Sequence, residues 1–483
     1  MRTLHLALLS VVHVASLEGP IMGQLVGQAS GPVLLPQDKG DESAACLDGS
    51  PYGFYFFPSR TGSQKWTVSI EGGGWCFDER QCFRRTSIEH LGSSKQLPSA
   101  FNECRCMNVG EDGNPVNDCN CVMMPYCDGA SFSGYRKEPW VNPMNSSELV
   151  YFRGIKNFDA TMDYLFEAGL GKATEFVLTG GSAGGLSTFL HIDRIAERLP
   201  GCKVQGVPIG GYFLDQDPFR GLHHALSTPS ISNSYGKEDR YTELMKGVFT
   251  MQNITFGERG LAADCGKAYP ASPHLCFLSP HMLKFIKTPI FMFNSRFDQW
   301  QIHNVLRVEV SHATDIERTA ILKYGDDFLE RLDELRSDPK NGAAITTCIC
   351  HACRWGALEV EGRLSYQHYA DWSAGKTHGA DAIHVDKRGP NADGSFNSAM
   401  WCANFPSGEQ GLENTLARLR QCKQAALRKS RDRAADSAVA SDGTRASPAM
   451  LARVRPSSSD LQAELSALQC DLDLLQSVSE VML

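Results

Sequence analysis

The sequence predicts an α/β fold in which a mostly parallel central sheet is flanked by helices. The main observation is the segment EFVLTGGSAGGLSTFL (175–190), where a short apolar run leads into small residues and then into a helix-compatible stretch. Other apolar runs with strand character alternate with helical segments: the runs lie at 66–70, 204–209 and 288–294, and the helices at 157–170 and 186–199. A chain of 483 residues can bury a large core, so we expect one large α/β domain with appendages.

Ser182 stands at the apex of the turn in this segment. Gly180 and Gly184 occupy the glycine positions of a G-x-S-x-G motif, and small neighbours let a strand and a helix close in on both sides of a nucleophilic serine. The backbone N–H of Ala183 would then face an oxyanion formed above Ser182. A glycine-rich turn with a solvated serine and a phosphate-cradling loop are alternatives. The position between strand and helix favours the nucleophile.

A serine nucleophile of this type needs a carboxylate and then a histidine further along the chain. Asp298 follows the apolar run at 288–294, and the loop after a strand is where α/β sheets present catalytic groups. Asp215 is a second carboxylate after a predicted strand, although a structural role in closing a loop is the simpler interpretation. His351 lies in TTCICHAC, but position alone does not select it among 14 histidines.

Seven motifs together carry a family resemblance. In chain order they are EGGGWCF (71–77), YCDGASFSG (126–134), LVYFRG (149–154), TGGSAGGLSTFLHIDR (179–194), GYFLD (211–215), FDQWQI (297–302) and TCICH (347–351). They resemble the pectin acetylesterase family, which also includes the Notum carboxylesterases, and they run in the family's order from about Cys46 to Cys402. The YCDGASFSG motif is closer to the pectin acetylesterase branch.

The resemblance implies an α/β-hydrolase-like fold and a catalytic site without a metal ion or an organic cofactor. It implies Ser182 as nucleophile, Asp298 as acid and His351 as base. Apart from the resemblance, we keep His384 as an alternative base. The resemblance also implies that the backbone N–H groups of Gly73, Gly74 and Ala183 form the oxyanion hole. The EGGGWC segment follows a predicted strand and has the form of such a loop, because glycine leaves the approach to the carbonyl oxygen open.

The function implied by the resemblance is that of a secreted serine esterase removing O-acetyl groups from a cell-wall-type polysaccharide such as pectin. One alternative is a Notum-like deacylase of a fatty-acylated protein, which needs a deep apolar pocket. Another is a non-catalytic binding or assembly protein that uses the C-terminal helix. The net charge of −8 argues against a nucleic-acid-binding surface, and we expect no membrane span because no apolar run of transmembrane length follows the N-terminus.

Seventeen cysteines favour an oxidising compartment, where disulfides persist. We expect local disulfides between Cys76 and Cys82 and between Cys265 and Cys276. The two C-x-C pairs at 104–106 and 119–121 fit either a zinc site or a disulfide-stapled excursion, and a secreted protein favours disulfides. Zinc is also conceivable in TTCICHAC, but four ligands within six residues give poor tetrahedral geometry; that set is Cys348, Cys350, His351 and Cys353.

We predict four regions along the chain: a signal peptide at 1–16, a Gly-, Pro- and Gln-rich leader at 17–45, the esterase domain at 46–407, and a helical, low-complexity tail at 408–483. Asn145 and Asn253 stand in glycosylation tripeptides, consistent with secretion. In the tail, apolar residues follow heptad spacing between 461 and 482, which indicates either self-association through a coiled coil or a lone amphipathic helix.

Overall fold

The computed structural model describes residues 31–38, 40, 43–88, 91–99, 101, 104–110, 113–219, 240–257, 260–353, 356 and 358–389. The signal peptide expected at 1–16, the leader up to residue 30 and the whole tail from 408, including the heptads at 461–482, lie outside the described residues. Within the described part, none of the helices has the length and apolar character needed to span a membrane.

A nine-stranded sheet forms the centre of the molecule. Its strands are β1 (Val33–Leu34), β2 (Gly53–Phe57), β3 (Lys65–Ile70), β4 (Asn120–Met124), β7 (Glu175–Gly181), β8 (Lys203–Ile209), β9 (Phe291–Ser295), β10 (Gly342–Thr346) and β13 (Ile383–Val385). The order across the sheet is β1-β2-β4-β3-β7-β8-β9-β10-β13. Every neighbouring pair from β4 to β13 is parallel, whereas β1–β2 and β2–β4 are antiparallel. The predicted mostly parallel α/β fold is confirmed.

The described structure also contains α-helices, two small hairpins and several short 3₁₀ and π-helical segments. The helices are α1 (Glu79–Arg85), α2 (Gly154–Glu167), α3 (Ala183–Arg198), α4 (Tyr241–Met251), α5 (Ala263–Ala268), α6 (Ser279–Met282), α7 (Gln299–Gln301), α8 (Asp315–Arg331), α9 (Asp333–Arg336) and α10 (Ser365–Ser373). One hairpin pairs β5 (Trp140–Asn142) with β6 (Asn145–Val150), and the other pairs β11 (Glu359–Val360) with β12 (Arg363–Leu364).

The sheet has a buried apolar core on each face. Side chains alternate along a strand, so Phe176 and Leu178 of β7 enter one core while Val177 enters the other. The first core contains the apolar side of α3, including the predicted inward residues, which are Leu186, Phe189, Leu190 and Ile195. The second core contains Tyr369 and Trp372 of α10. Burial on both faces explains why the central strands read as continuous apolar runs.

Some element bounds differ from the sequence prediction for local reasons. The helix expected at 157–170 is α2, which ends at Glu167 because the chain turns at Gly169, where φ is 111°. The strand expected from residue 288 begins at Phe291, because Pro289 has no N–H to donate to a neighbouring strand. The sheet also includes residues ahead of Cys46, the expected start of the domain, since β1 pairs with β2.

Six disulfides join described residues: Cys46–Cys127, Cys76–Cys82, Cys104–Cys121, Cys106–Cys119, Cys265–Cys276 and Cys350–Cys353. The two expected local pairs are present. The C-x-C cysteines pair with each other as two adjacent disulfides, so they are not thiolate ligands of a zinc ion. The Cys46–Cys127 bond, which the sequence spacing did not predict, ties the first strands to the YCDGASFSG segment.

Candidate active site

Ser182 lies at a strained turn between β7 and α3. Its backbone has φ 55° and ψ −124°, and residues other than glycine rarely adopt a positive φ. The turn is closely packed, because a Cβ on Gly184 would lie 2.2 Å from the Ile70 carbonyl oxygen and a Cβ on Gly180 would lie 2.4 Å from the Gly184 carbonyl oxygen. The predicted requirement for glycine at both positions is confirmed. The serine hydroxyl is thereby presented at the carboxyl edge of the sheet.

A hydrogen-bonded chain joins Ser182, His351 and Asp298. The Nε2 atom of His351 lies 2.7 Å from Ser182 Oγ, and its Nδ1 atom lies 2.8 Å from Asp298 Oδ2 and 3.0 Å from Oδ1. All three residues are shielded from solvent, since Ser182 is 8% exposed, Asp298 is 0% exposed and the His351 side chain is 3% exposed. In this geometry the imidazole can take a proton from the serine while the carboxylate holds the ring in place.

The loops that carry Asp298 and His351 lie side by side because they follow neighbouring parallel strands, β9 and β10. Their backbones are joined by a hydrogen bond of 3.3 Å from the Gln299 N–H to the Cys350 carbonyl oxygen. The Asp298 carboxylate also accepts the backbone N–H of Gln301 at 3.0 Å, which fixes the acid at the start of α7. Backbone hydrogen bonds therefore help to fix the positions of the two loops and of the Asp298 carboxylate.

The EGGG loop packs directly against the Ser182 turn. A Cβ on Gly72 would lie 2.7 Å from Ser182 Cβ, so only glycine fits there. The chain then passes through Gly73 and Gly74 with φ 153° and 65°. Within the described part of the chain, the backbone N–H groups of Gly73, Gly74 and Ala183 donate to no other protein group. Three donors near a buried serine hydroxyl can receive a carbonyl oxygen as it gains negative charge.

An aromatic wall covers one side of the His351 ring. The rings of Phe213 and Trp300 each lie 6.0 Å from the imidazole, measured between centroids. Trp75 packs on them at 5.0 and 5.5 Å, and Tyr241 closes the group at 6.0 Å from Trp75. All four are buried. The sequence prediction gave these residues no role, although three of them stand inside quoted motifs beside the proposed site residues.

The two alternative residues lie elsewhere. Asp215 accepts a hydrogen bond from the Thr242 hydroxyl and lies 3.6 Å from His281 Nε2. These contacts, with that of His281 first, lower the pKa of the Asp215 carboxyl and fit the loop-closing role expected for it. The Nδ1 atom of His384 lies 3.0 Å from Glu361 Oε2, and its ring stacks on His368 at 3.7 Å.

The alternative zinc site in TTCICHAC is not formed. Cys350 and Cys353 are bonded to each other, and Cys348 is also disulfide-bonded, so none of the three can act as a thiolate ligand. Both ring nitrogens of His351 face protein groups, Ser182 and Asp298. No cluster of three or more metal-ligating side chains occurs among the residues that the structure describes.

Comparison with known proteins gives one consistent result. The profile of the Pectinacetylesterase family matches residues 27–372. Pectin acetylesterase 11 of Arabidopsis thaliana is 28% identical over 351 residues, which cover 69% of this chain and 82% of that protein. Palmitoleoyl-protein carboxylesterase NOTUM of Drosophila melanogaster is 32% identical over 269 residues, 54% of this chain and 37% of that protein. The solved structure of the Wnt deacylase Notum from Drosophila aligns with a TM-score of 0.59 and 26% identity, and covers 74% of this chain and 97% of its own.

Proposed function

The chain belongs to the pectinacetylesterase family and is a carboxylic ester hydrolase, and from this premise we propose that it is a secreted serine esterase that removes O-acetyl groups from a polysaccharide such as pectin. The observation that carries the proposal is the hydrogen-bonded chain of Ser182, His351 and Asp298 beside three unpartnered N–H groups of the described backbone. Such a constellation disfavours the alternative of a non-catalytic assembly protein.

In the first half of the proposed reaction, Ser182 Oγ attacks the ester carbonyl carbon while His351 Nε2 takes the hydroxyl proton. The carbonyl oxygen becomes an oxyanion and accepts hydrogen bonds from the backbone N–H groups of Gly73, Gly74 and Ala183. When the tetrahedral intermediate collapses, the sugar oxygen leaves with the proton from His351, and the acetyl group stays on Ser182. Asp298 stabilises the charged imidazole through both of its oxygens.

In the second half, a water molecule attacks the acetyl-enzyme. His351 takes a proton from the water, and the same three N–H groups stabilise the second oxyanion. Collapse returns the proton to Ser182 and releases acetate. Every step uses groups of this chain, and neither a metal ion nor an organic cofactor enters the proposed mechanism.

The preference for a short acyl group is supported by the packing of the aromatic wall. Trp75, Phe213, Trp300 and Tyr241 are buried and fill the space beside His351 with one another. An acetyl group needs room for one methyl, whereas a long chain gains about 0.8 kcal/mol per methylene only where a cavity receives it. The apolar character of the same wall is the observation that favours the second candidate, a deacylase of fatty-acylated protein like the Notum relatives.

Secretion is supported by the six disulfides that join described residues and by the exposed asparagines of both glycosylation tripeptides. Asn145 is the exposed first residue of β6, and Asn253 is exposed just after α4. An oxidising compartment is needed to form and keep the disulfides. The proposed partner is an acetylated polysaccharide, and self-association through residues 461–482 stays a prediction.

The test is a series of aryl esters with acyl chains from two to sixteen carbons, assayed below micelle formation on the wild type and on Ser182→Ala. We expect kcat/KM to be highest for the acetyl ester and activity to be lost in Ser182→Ala, which typically costs several orders of magnitude. Release of acetate from acetylated pectin and xylan then identifies the glycan. A maximum at eight carbons or more would favour the fatty-acyl candidate, and a folded, active Ser182→Ala variant would exclude the proposed nucleophile.

A further inference from the structure

The YCDGASFSG segment forms a strained turn close to the proposed site. We name residues 128–134 the bridging turn. Its Ser131 and Phe132 have φ of 52° and 58°, so two consecutive residues other than glycine adopt the strained left-handed region. The Asp128 carboxylate holds the turn by accepting the backbone N–H groups of Ala130 at 3.1 Å and Phe132 at 2.8 Å. Strain of this kind persists only where the surrounding contacts require it.

Those contacts converge on Ser131, which is fully buried and uses each of its polar groups. Its hydroxyl donates to the Ala183 carbonyl oxygen at 2.8 Å and accepts the indole N–H of Trp75 at 2.9 Å. Its backbone N–H donates to the Tyr126 hydroxyl at 3.0 Å, and its carbonyl oxygen lies 3.2 Å from His191 Nε2. The Ser131 hydroxyl therefore links Trp75, which follows the glycine loop, to Ala183, which follows the proposed nucleophile.

The side chains of Arg85 and Tyr126 also hold the glycine loop, through its carbonyl oxygens. The Arg85 guanidinium donates to the Gly73 carbonyl oxygen, and the Tyr126 hydroxyl donates to the Gly74 carbonyl oxygen at 2.8 Å. In a trans peptide the C=O and the following N–H point in opposite directions, so fixing the Gly73 carbonyl also fixes the direction of the Gly74 N–H. The Gly74 N–H therefore points away from the Arg85 guanidinium, and it donates to no other protein group among the described residues.

We propose that Ser131 is a positioning residue that sets the separation between the two halves of the oxyanion hole, with Tyr126 as its partner. One half is the Gly73–Gly74 loop and the other is Ala183 at the start of α3. Ser131 does not touch the substrate in this scheme. Its hydroxyl keeps the two sets of N–H donors at the spacing that a tetrahedral oxyanion requires. The inference deepens the proposed function and rests on it.

The test compares Ser131→Ala and Ser131→Gly with the control Ser133→Ala. Glycine accepts the φ of 52° without strain, so Ser131→Gly removes the hydroxyl while favouring the folded backbone. Ser133 is also buried in the bridging turn, but among the described residues its hydroxyl donates only to the Ala130 carbonyl oxygen, at 2.5 Å. Kinetics are measured with an aryl acetate, and inhibition with a phenylalkyl trifluoromethyl ketone, to which serine adds to form a stable tetrahedral oxyanion.

Loss of one oxyanion donor costs about 10²–10³ in rate, and we expect misalignment of the donors to lower kcat/KM by about 10- to 100-fold in both Ser131 variants. The inhibition constant of the ketone should rise by the same factor, because the ketone adduct uses the same donors. Ser133→Ala should keep both values near wild type. A merely structural role would lower the melting temperature without this matched change in inhibition.

Three outcomes overturn the positioning role: Ser131 variants that match Ser133→Ala in kcat/KM, a fall in kcat/KM without a matching rise in the inhibition constant, or full recovery of activity in Ser131→Gly. If both Ser131 variants fail to fold, the same two measurements are made on Tyr126→Phe. This change removes the hydroxyl that contacts the Gly74 carbonyl oxygen and the Ser131 N–H, and it keeps the aromatic ring. Ser182→Ala is assayed in parallel. An active Ser182→Ala would refute the proposed function, whereas an inactive one beside unaffected Ser131 variants would refute only the positioning role.

Discussion

Replacing Asp128 with asparagine should change how stability depends on pH. The carboxyl is 1% exposed, and burial raises its pKa from the ordinary 3.8 to about 6, although hydrogen bonds from Phe132 and Ala130 and the charge of Arg85 act in the opposite direction. Between pH 4 and 6 the folded protein thus holds a proton that the unfolded chain has released. The contribution of Asp128 to wild-type stability therefore falls as pH rises through this window, and the full penalty of burying its charge is present above pH 6.

The size of the effect follows from the two pKa values. A difference of about two pH units corresponds to about 3 kcal/mol, at about 1.4 kcal/mol per unit. Asparagine has no charge to bury, so the unfolding free energy of Asp128→Asn minus that of the wild type should increase by about 3 kcal/mol from pH 4 to pH 7 and then stay level. Glu71, whose pKa burial raises to about 7, is present in both proteins and cancels in the difference.

Urea unfolding followed by tryptophan fluorescence, at a series of pH values and with the disulfides intact, measures this difference. Asp118→Asn is the matched control. Hydrogen bonds from Ser59 and Thr61 lower the pKa of the Asp118 carboxyl to about 2, so its contribution is lost only as pH falls below 4. The unfolding free energy of Asp118→Asn minus that of the wild type should not change with pH above pH 5. If the same difference for Asp128→Asn also does not change between pH 4 and pH 7, the raised pKa of the Asp128 carboxyl is refuted.

The remaining predictions concern the proposed catalytic groups. Asp298→Asn should lower kcat by about 10⁴-fold, because the imidazole loses the acceptor that sets its tautomer, and an inactive Asp215→Asn beside an active Asp298→Asn would contradict that assignment. His351→Ala should be inactive and His384→Ala near normal on an aryl acetate, since His384 contacts Glu361 instead of Ser182; the reverse result would transfer the role of base. Activity should survive EDTA, and loss in EDTA with recovery on added zinc would revive the metal alternative.

The parts of the site that could be predicted are those encoded within a few residues. The turn around Ser182 is local, because a strand, four glycines and a helix follow one another in the sequence. Asp298 could be proposed because it follows an apolar run. His351 needed the family resemblance, since its approach to Ser182 spans 169 residues and depends on the order of β7, β9 and β10 across the sheet.

The aromatic wall and the bridging turn could not be derived from spacing. Trp75, Phe213, Tyr241 and Trp300 come from four separate segments, and only the folded domain brings their rings together. At Ser131 and Phe132 the φ angle is positive although neither residue is glycine, so the sequence carries no local signal for their conformation. Likewise, β1 has two residues, too few to show any periodicity, and its place in the sheet is set by its partner β2.

The Cys350–Cys353 disulfide makes the candidate site depend on whether these cysteines have been oxidised. The bond closes a loop of four residues that includes His351, and Cys348 just before it is also oxidised. A newly made, reduced chain has Ser182 but lacks the covalent link that constrains the loop of the proposed base, His351. We therefore expect catalytic competence to arise late, after thiol oxidation, so that the polypeptide remains latent while it is in a reducing environment.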